Sequence, residues 1–111
     1  MSIKSTYKKD NFLIIELEGR IDIQVADNVG DTISELIDKG ETNLIFDLKN
    51  LKFMDSSGLR IFIGIKRHLD TVSGILKLAN LKKNIFEIFE IVELDKMFNI
   101  YKDIKKALAS N

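Results

Sequence analysis

Cysteine and proline are absent from this 111-residue chain, and histidine occurs once. Without cysteine there can be no disulfide, no thiolate nucleophile and no cysteine-ligated metal. The single histidine, His68, leaves zinc without an ordinary ligand set, so metal chemistry would have to rest on carboxylates alone. No cofactor and no metal site are expected. The lack of proline, of Gly/Ser-rich stretches and of internal repeats leaves no linker at which to divide the chain. Its length is that of one domain, expected over residues 1–111.

Long apolar runs are missing too. No segment approaches the roughly 20 apolar residues that cross a bilayer, and the start, Met1-Ser2-Ile3-Lys4-Ser5-Thr6, lacks the apolar stretch of a signal peptide. A cytoplasmic protein without a membrane partner is expected. Excess charge of one sign is likewise lacking, with 17 Lys plus Arg against 17 Asp plus Glu. The basic pairs Lys8-Lys9, Lys82-Lys83 and Lys105-Lys106 lie far apart. That balance argues against counterion-driven binding of nucleic acid.

What is present is a composition that folds: 45% hydrophobic and 31% charged residues. A short segment around Ile3–Tyr7, a turn at Lys8-Lys9-Asp10-Asn11 and a strand at Phe12–Leu17 predict an antiparallel hairpin, with Leu13, Ile15 and Leu17 on one face. Gly19-Arg20-Ile21-Asp22 closes that strand. Val25, Val29, Ile33, Leu36 and Ile37 then fall at helical spacing and stop before Lys39-Gly40. Strands are predicted at Asn43–Leu48 and Gly74–Leu78. Between them, Leu59–Ile65 is apolar enough for a strand, but the cap chemistry of Asp55-Ser56-Ser57 and the continuation to Leu69 predict a helix. Two strands joined by a helix run parallel with a right-handed crossover. Ile85, Phe86, Phe89 and Val92 mark a further helix, with the two phenylalanines at core spacing. Met97–Tyr101 reads as a short edge strand and Ile104–Ala109 as a last helix. The expected fold is α/β: a mixed sheet of four or five strands packed with about four helices.

The richest stretch is Phe53-Met54-Asp55-Ser56-Ser57-Gly58-Leu59, which follows a strand and opens a helix, where ligands and chemistry gather in open α/β sheets. Taken alone, it is a well-capped helix start. Its functional reading is an exposed hydroxyl at a helix N-terminus, where amides and dipole favour a phosphoryl group. Phosphorylation there would add about −1.5 to −2 charge beside Asp55. Other single residues read more simply. Asp22 is a turn residue or a cap, Asp47 points to solvent or to a neighbouring amide, and His68 is solvated or complements a helix end. Enzyme signatures are missing: there is no Gly-x-Ser-x-Gly elbow, Walker loop, Gly-x-Gly-x-x-Gly or His-Glu-x-x-His. The chain is not expected to be an enzyme.

Leu51-Lys52-Phe53-Met54-Asp55-Ser56-Ser57-Gly58-Leu59 closely resembles the signature of STAS-domain anti-sigma factor antagonists of the sporulation and general-stress type. Gly19-Arg20-Ile21-Asp22 resembles the same family's earlier Gly-x-Ile/Leu-Asp motif, and the order of elements is similar over essentially the whole chain. The resemblance implies partner switching. The unphosphorylated protein binds an anti-sigma factor that is also a serine protein kinase, freeing the sigma factor. The kinase phosphorylates Ser56 and the complex dissociates, until a PP2C-like serine phosphatase restores the free serine. Asp22, Asp55, Ser56, Ser57, Gly58 and Arg60 are then the expected partner-binding surface. One position departs from the pattern: Arg60 stands where the best-known members have glycine, one turn from Ser56, and bears on phosphoserine pairing and partner choice. Without coiled-coil heptads the free protein is expected to be a monomer. Two other readings remain open at this level: a constitutive STAS scaffold in which Ser56 carries no switch, and a nucleotide site using Asp55–Gly58 as an anion loop.

Overall fold

Asp10 and Asn11 take positive φ of 52° and 70°, the conformation a two-residue hairpin turn demands and one that Asp and Asn tolerate. The turn folds β1 (Ile3–Lys9) back on β2 (Phe12–Ile21), with Lys9 opposite Phe12. The computed structural model describes residues 2–110. After the hairpin come α1 (Ala26–Asp38), β3 (Asn43–Met54), α2 (Ser56–Thr71), β4 (Ile75–Ala79), α3 (Lys83–Ile91), β5 (Asn99–Tyr101) and α4 (Ile104–Ala109).

The five strands lie in the sheet in chain order, and β2–β3, β3–β4 and β4–β5 pair parallel. Successive right-handed crossovers that all step the same way place their helices on the same face. Accordingly Val29 and Ile33 of α1, Phe62 and Ile65 of α2 and Ile85 and Phe89 of α3 share one core with Leu13, Ile15 and Leu17 of β2. An aromatic chain runs through it, Phe46 to Phe62 to Phe89 to Phe98, with ring centroids 5.4–5.9 Å apart. Phe89 is fully buried, whereas Phe86 is only half-buried. The opposite face is smaller: Ile14, Ile45 and Ala79 are covered by Ala107 of α4.

The largest departure from the sequence reading is β3, which runs on past Leu48 to Met54. Leu48, Leu51 and Met54 are spaced by three, which a regular strand cannot bury on one face. The structure resolves this with two register shifts against β2. Glu16 pairs with Asp47 but Glu18 with Asn50, and Gly19 pairs with Leu51 but Arg20 with Phe53. Each shift inserts one extra residue into β3 and resets the alternation. All three apolar side chains thereby enter the core. Gly19 stands at the second shift with φ of 75°, a conformation open to glycine and strained for most other residues. β5 is shorter than expected, starting at Asn99, because Phe98 turns into the core.

Candidate functional site

The lengthened β3 delivers Asp55 to the end of the sheet, beside the end of β2. There the Asp55 amide donates to the Ile21 carbonyl at 3.2 Å. Asp55 is the N-cap of α2: its backbone is extended, its carboxylate Oδ1 accepts from the Ser57 amide at 2.8 Å, and its carbonyl accepts from the Gly58 and Leu59 amides. Ser56, the first helical residue, is exposed. Ser57 is only 6% exposed, and its hydroxyl accepts from the Arg60 guanidinium at 3.4 Å. The two neighbouring serines therefore differ in access. Only Ser56 offers its side chain to another protein.

Gly58 makes this placement possible. A Cβ there would sit 2.1 Å from Met54 Cγ and 3.3 Å from Ile21 Cγ2. With any side chain there, either Met54 or the first turn of α2 would have to shift.

On the neighbouring loop, Asp22 Oδ1 accepts from the Gln24 amide at 3.0 Å, and its carbonyl accepts from Val25 and Ala26. Asp22 is thus a turn residue; the N-cap of α1 is Val25, which makes no side-chain cap. Arg20 Nε lies 3.9 Å from Asp22, and the Arg20 guanidinium carbon stacks 4.2 Å from the centroid of Phe53. Ile23 stands out at 73% exposed. With Ala26, Asp27, Ser57, Arg60 and Ile61 it lines a recess of about 230 Å³ between the starts of α1 and α2. All six residues expected from sequence, Asp22, Asp55, Ser56, Ser57, Gly58 and Arg60, meet at this end of the sheet. The same surface also holds Arg20, Ile23 and Phe53, to which the sequence reading gave no individual role. Ile23 had a signal, since it lies outside both the strand pattern and the apolar stripe of α1. Phe53 did not, because its partner Arg20 becomes its neighbour only through the second register shift.

Two residues lie elsewhere. Asp47 does not face solvent: it is buried, accepts from the Lys49 amide at 3.2 Å and Asn80 Nδ2 at 3.1 Å, and lies 3.6 Å from Lys49 Nζ. It belongs to a larger recess, about 750 Å³, on the α4 side of the sheet. Nearby Tyr7 has its phenol pushed above the usual 10.0, by burial first and then by the charges of Asp47 and Glu16. His68 Nε2 lies 3.0 Å from Asp38 and ties the last turns of α1 and α2 together.

The size of these recesses does not decide which matters. Strand order here never reverses, so the sheet has no topological switch point. The end of the sheet instead presents an exposed serine beside the capping carboxylate of Asp55, with an exposed isoleucine and a guanidinium-covered phenyl ring. Such a surface suits docking to a protein better than enclosing a small molecule. Among the described residues no helix is long and apolar enough to cross a membrane.

Residues 4–107 match the STAS domain family. The chain is 31% identical to BtrV of Bordetella bronchiseptica, an anti-sigma factor antagonist candidate, over 93% of this chain and 89% of that protein. It is 29% identical to the anti-sigma-B factor antagonist of Bacillus subtilis, over 84% of each. Among solved structures it resembles the anti-sigma factor antagonist SpoIIAA in its unphosphorylated form, with a TM-score of 0.79 and 25% identity over 94% of this chain and 91% of that one. The phosphorylated form of SpoIIAA from Bacillus gives a TM-score of 0.72, covering 95% of this chain and 96% of that one at the same identity.

Proposed function

The chain belongs to the STAS domain family, and from that premise we propose that it is a non-enzymatic anti-sigma factor antagonist switched by phosphorylation of Ser56. Unphosphorylated, it binds an anti-sigma factor that is also a serine protein kinase, through a surface of Asp22, Asp55 and Arg60 around Ser56 with Ser57 and Gly58 shaping the turn beneath, and so frees a sigma factor in the cytoplasm. The kinase supplies nucleotide, magnesium and base; this chain supplies a positioned hydroxyl. A PP2C-like phosphatase removes the phosphate.

The observation that carries this reading is the contrast at Asp55-Ser56-Ser57. The cap holds the turn, the second serine is buried, and the first is left exposed. SpoIIAA, solved in both phosphorylation states, shows that a similar fold accommodates the modification. A phosphate on Ser56 adds about −1.5 to −2 charge in the middle of the docking surface without touching the core. Moving a complex from 1:99 to 99:1 takes about 5.5 kcal/mol of differential affinity, which one phosphate reaches only from within an interface.

The test is peptide mass spectrometry after incubation with ATP, magnesium and the host's anti-sigma kinase, followed by capture of that kinase. One phosphate on Ser56, absent from Ser56→Ala, with loss of kinase binding on modification, is the expected result. Equal kinase binding by the modified and unmodified protein would favour a constitutive scaffold.

A further inference from the structure

Arg60 is exposed, and among the described residues it takes part in no ion pair. Its one side-chain hydrogen bond, to the Ser57 hydroxyl, is long at 3.4 Å and joins it to a neutral acceptor. Residues four apart on a helix are neighbours, and helical side chains lean toward the N-terminus. Arg60 therefore reaches back over the first turn, where the contact with Ser57 already places its guanidinium.

The helix N-terminus, by contrast, has little left to offer an added anion. Asp55 already occupies the Ser57 amide with its carboxylate and the Gly58 and Leu59 amides with its carbonyl. A phosphate on Ser56 would meet that carboxylate as a repelling neighbour. The other cation beside the site, Arg20, is stacked on Phe53 and turned toward Asp22.

We propose that Arg60 is the built-in receptor for a phosphate on Ser56, exchanging its long bond to Ser57 for a charge-assisted, forked pair with the phosphoryl oxygens. The inference rests on Ser56 being the modified residue. Its consequence is mechanical as well as electrostatic: on modification the guanidinium leaves the recess it shares with Ile23, Asp27 and Ile61. The switch then removes a cation from one part of the docking surface while adding an anion to another. Arg60 thus faces the partner in the unmodified state and the phosphate in the modified one.

The test installs phosphoserine at position 56 by genetic code expansion, in chains carrying Arg60, Arg60→Lys or Arg60→Ala, and follows the phosphate by ³¹P NMR from pH 4 to pH 9. The second ionisation of the phosphate is expected about half a pH unit lower with Arg60 than with Arg60→Ala, with Arg60→Lys between them. Salt at about 1 M should close most of that gap. Coincident titration curves for the three proteins, with folded amide spectra, would overturn the proposal. Because the phosphate is installed without a kinase, failure of any kinase to modify the natural chain would sink the switch and leave this titration readable.

Discussion

Asp55 and Ile21 are joined backbone to backbone, amide to carbonyl, at 3.2 Å. That bond clamps the start of α2 to the end of β2, so that two motifs distant in the chain become one surface. Everything proposed for Ser56 depends on how firmly this first turn is held.

Replacing the exposed serine should hardly disturb it. Ser56→Ala is expected to stay within about 0.5 kcal/mol of the wild type in urea unfolding, while losing the phosphate seen by mass spectrometry. Ser57→Ala removes a buried hydrogen-bonding hydroxyl and should cost about 1 kcal/mol, yet it should still take up phosphate on Ser56. Phosphate on Ser57 in the wild type would show that burial does not select between them.

Gly58→Ala sets two effects against each other. Alanine is favoured over glycine in a helix by about 1 kcal/mol, but its Cβ would lie 2.1 Å from Met54 Cγ and 2.8 Å from Sδ. Overpacking of that kind costs about 1–3 kcal/mol, and here the clash should win. In a Met54→Ala background the same change should become neutral or stabilising, a non-additivity that a double-mutant cycle reads directly. An unchanged penalty in that background would mean that Met54 is not the obstacle.

At Asp55 the cap and the charge can be separated. Asparagine caps a helix about as well as aspartate, whereas alanine loses about 1 kcal/mol. Asp55→Asn is therefore expected to match the wild type in thermal unfolding while weakening kinase binding, and Asp55→Ala to lose both. Undiminished binding by Asp55→Asn, measured by calorimetry, would remove this carboxylate from the docking surface.

On the other face of the sheet, Tyr7 reports on the recess around Asp47. Tyr101→Phe leaves it the only tyrosine of the two in the chain, and its absorbance titration should then have a midpoint above 10.0. Because the folded value is raised, the fold favours the neutral phenol. The associated stability is present below the ordinary value and lost as pH rises through the raised one. Asp47→Asn should bring the midpoint back toward 10.0, and no movement would remove Asp47 as a cause and leave burial and Glu16.

Local pattern carried much of this protein. The hairpin was legible in Asp10-Asn11, α1 in the spacing of Val29, Ile33 and Ile37, and α2 in the cap at Asp55, because caps, turns and apolar periods act over a few residues and are written in consecutive letters. The absence of cysteine, and a lone histidine, likewise bounded the chemistry before any fold was known. Tertiary structure decided the rest. Only pairing with β2 could extend β3 to Met54, since the register shifts that bury Leu48, Leu51 and Met54 exist between strands and not within one. Only packing could separate Ser56 from Ser57, two identical letters of which one faces solvent and one the core side of α2. Burial is a property of what lies opposite a side chain, and for these residues what lies opposite comes from elsewhere in the chain.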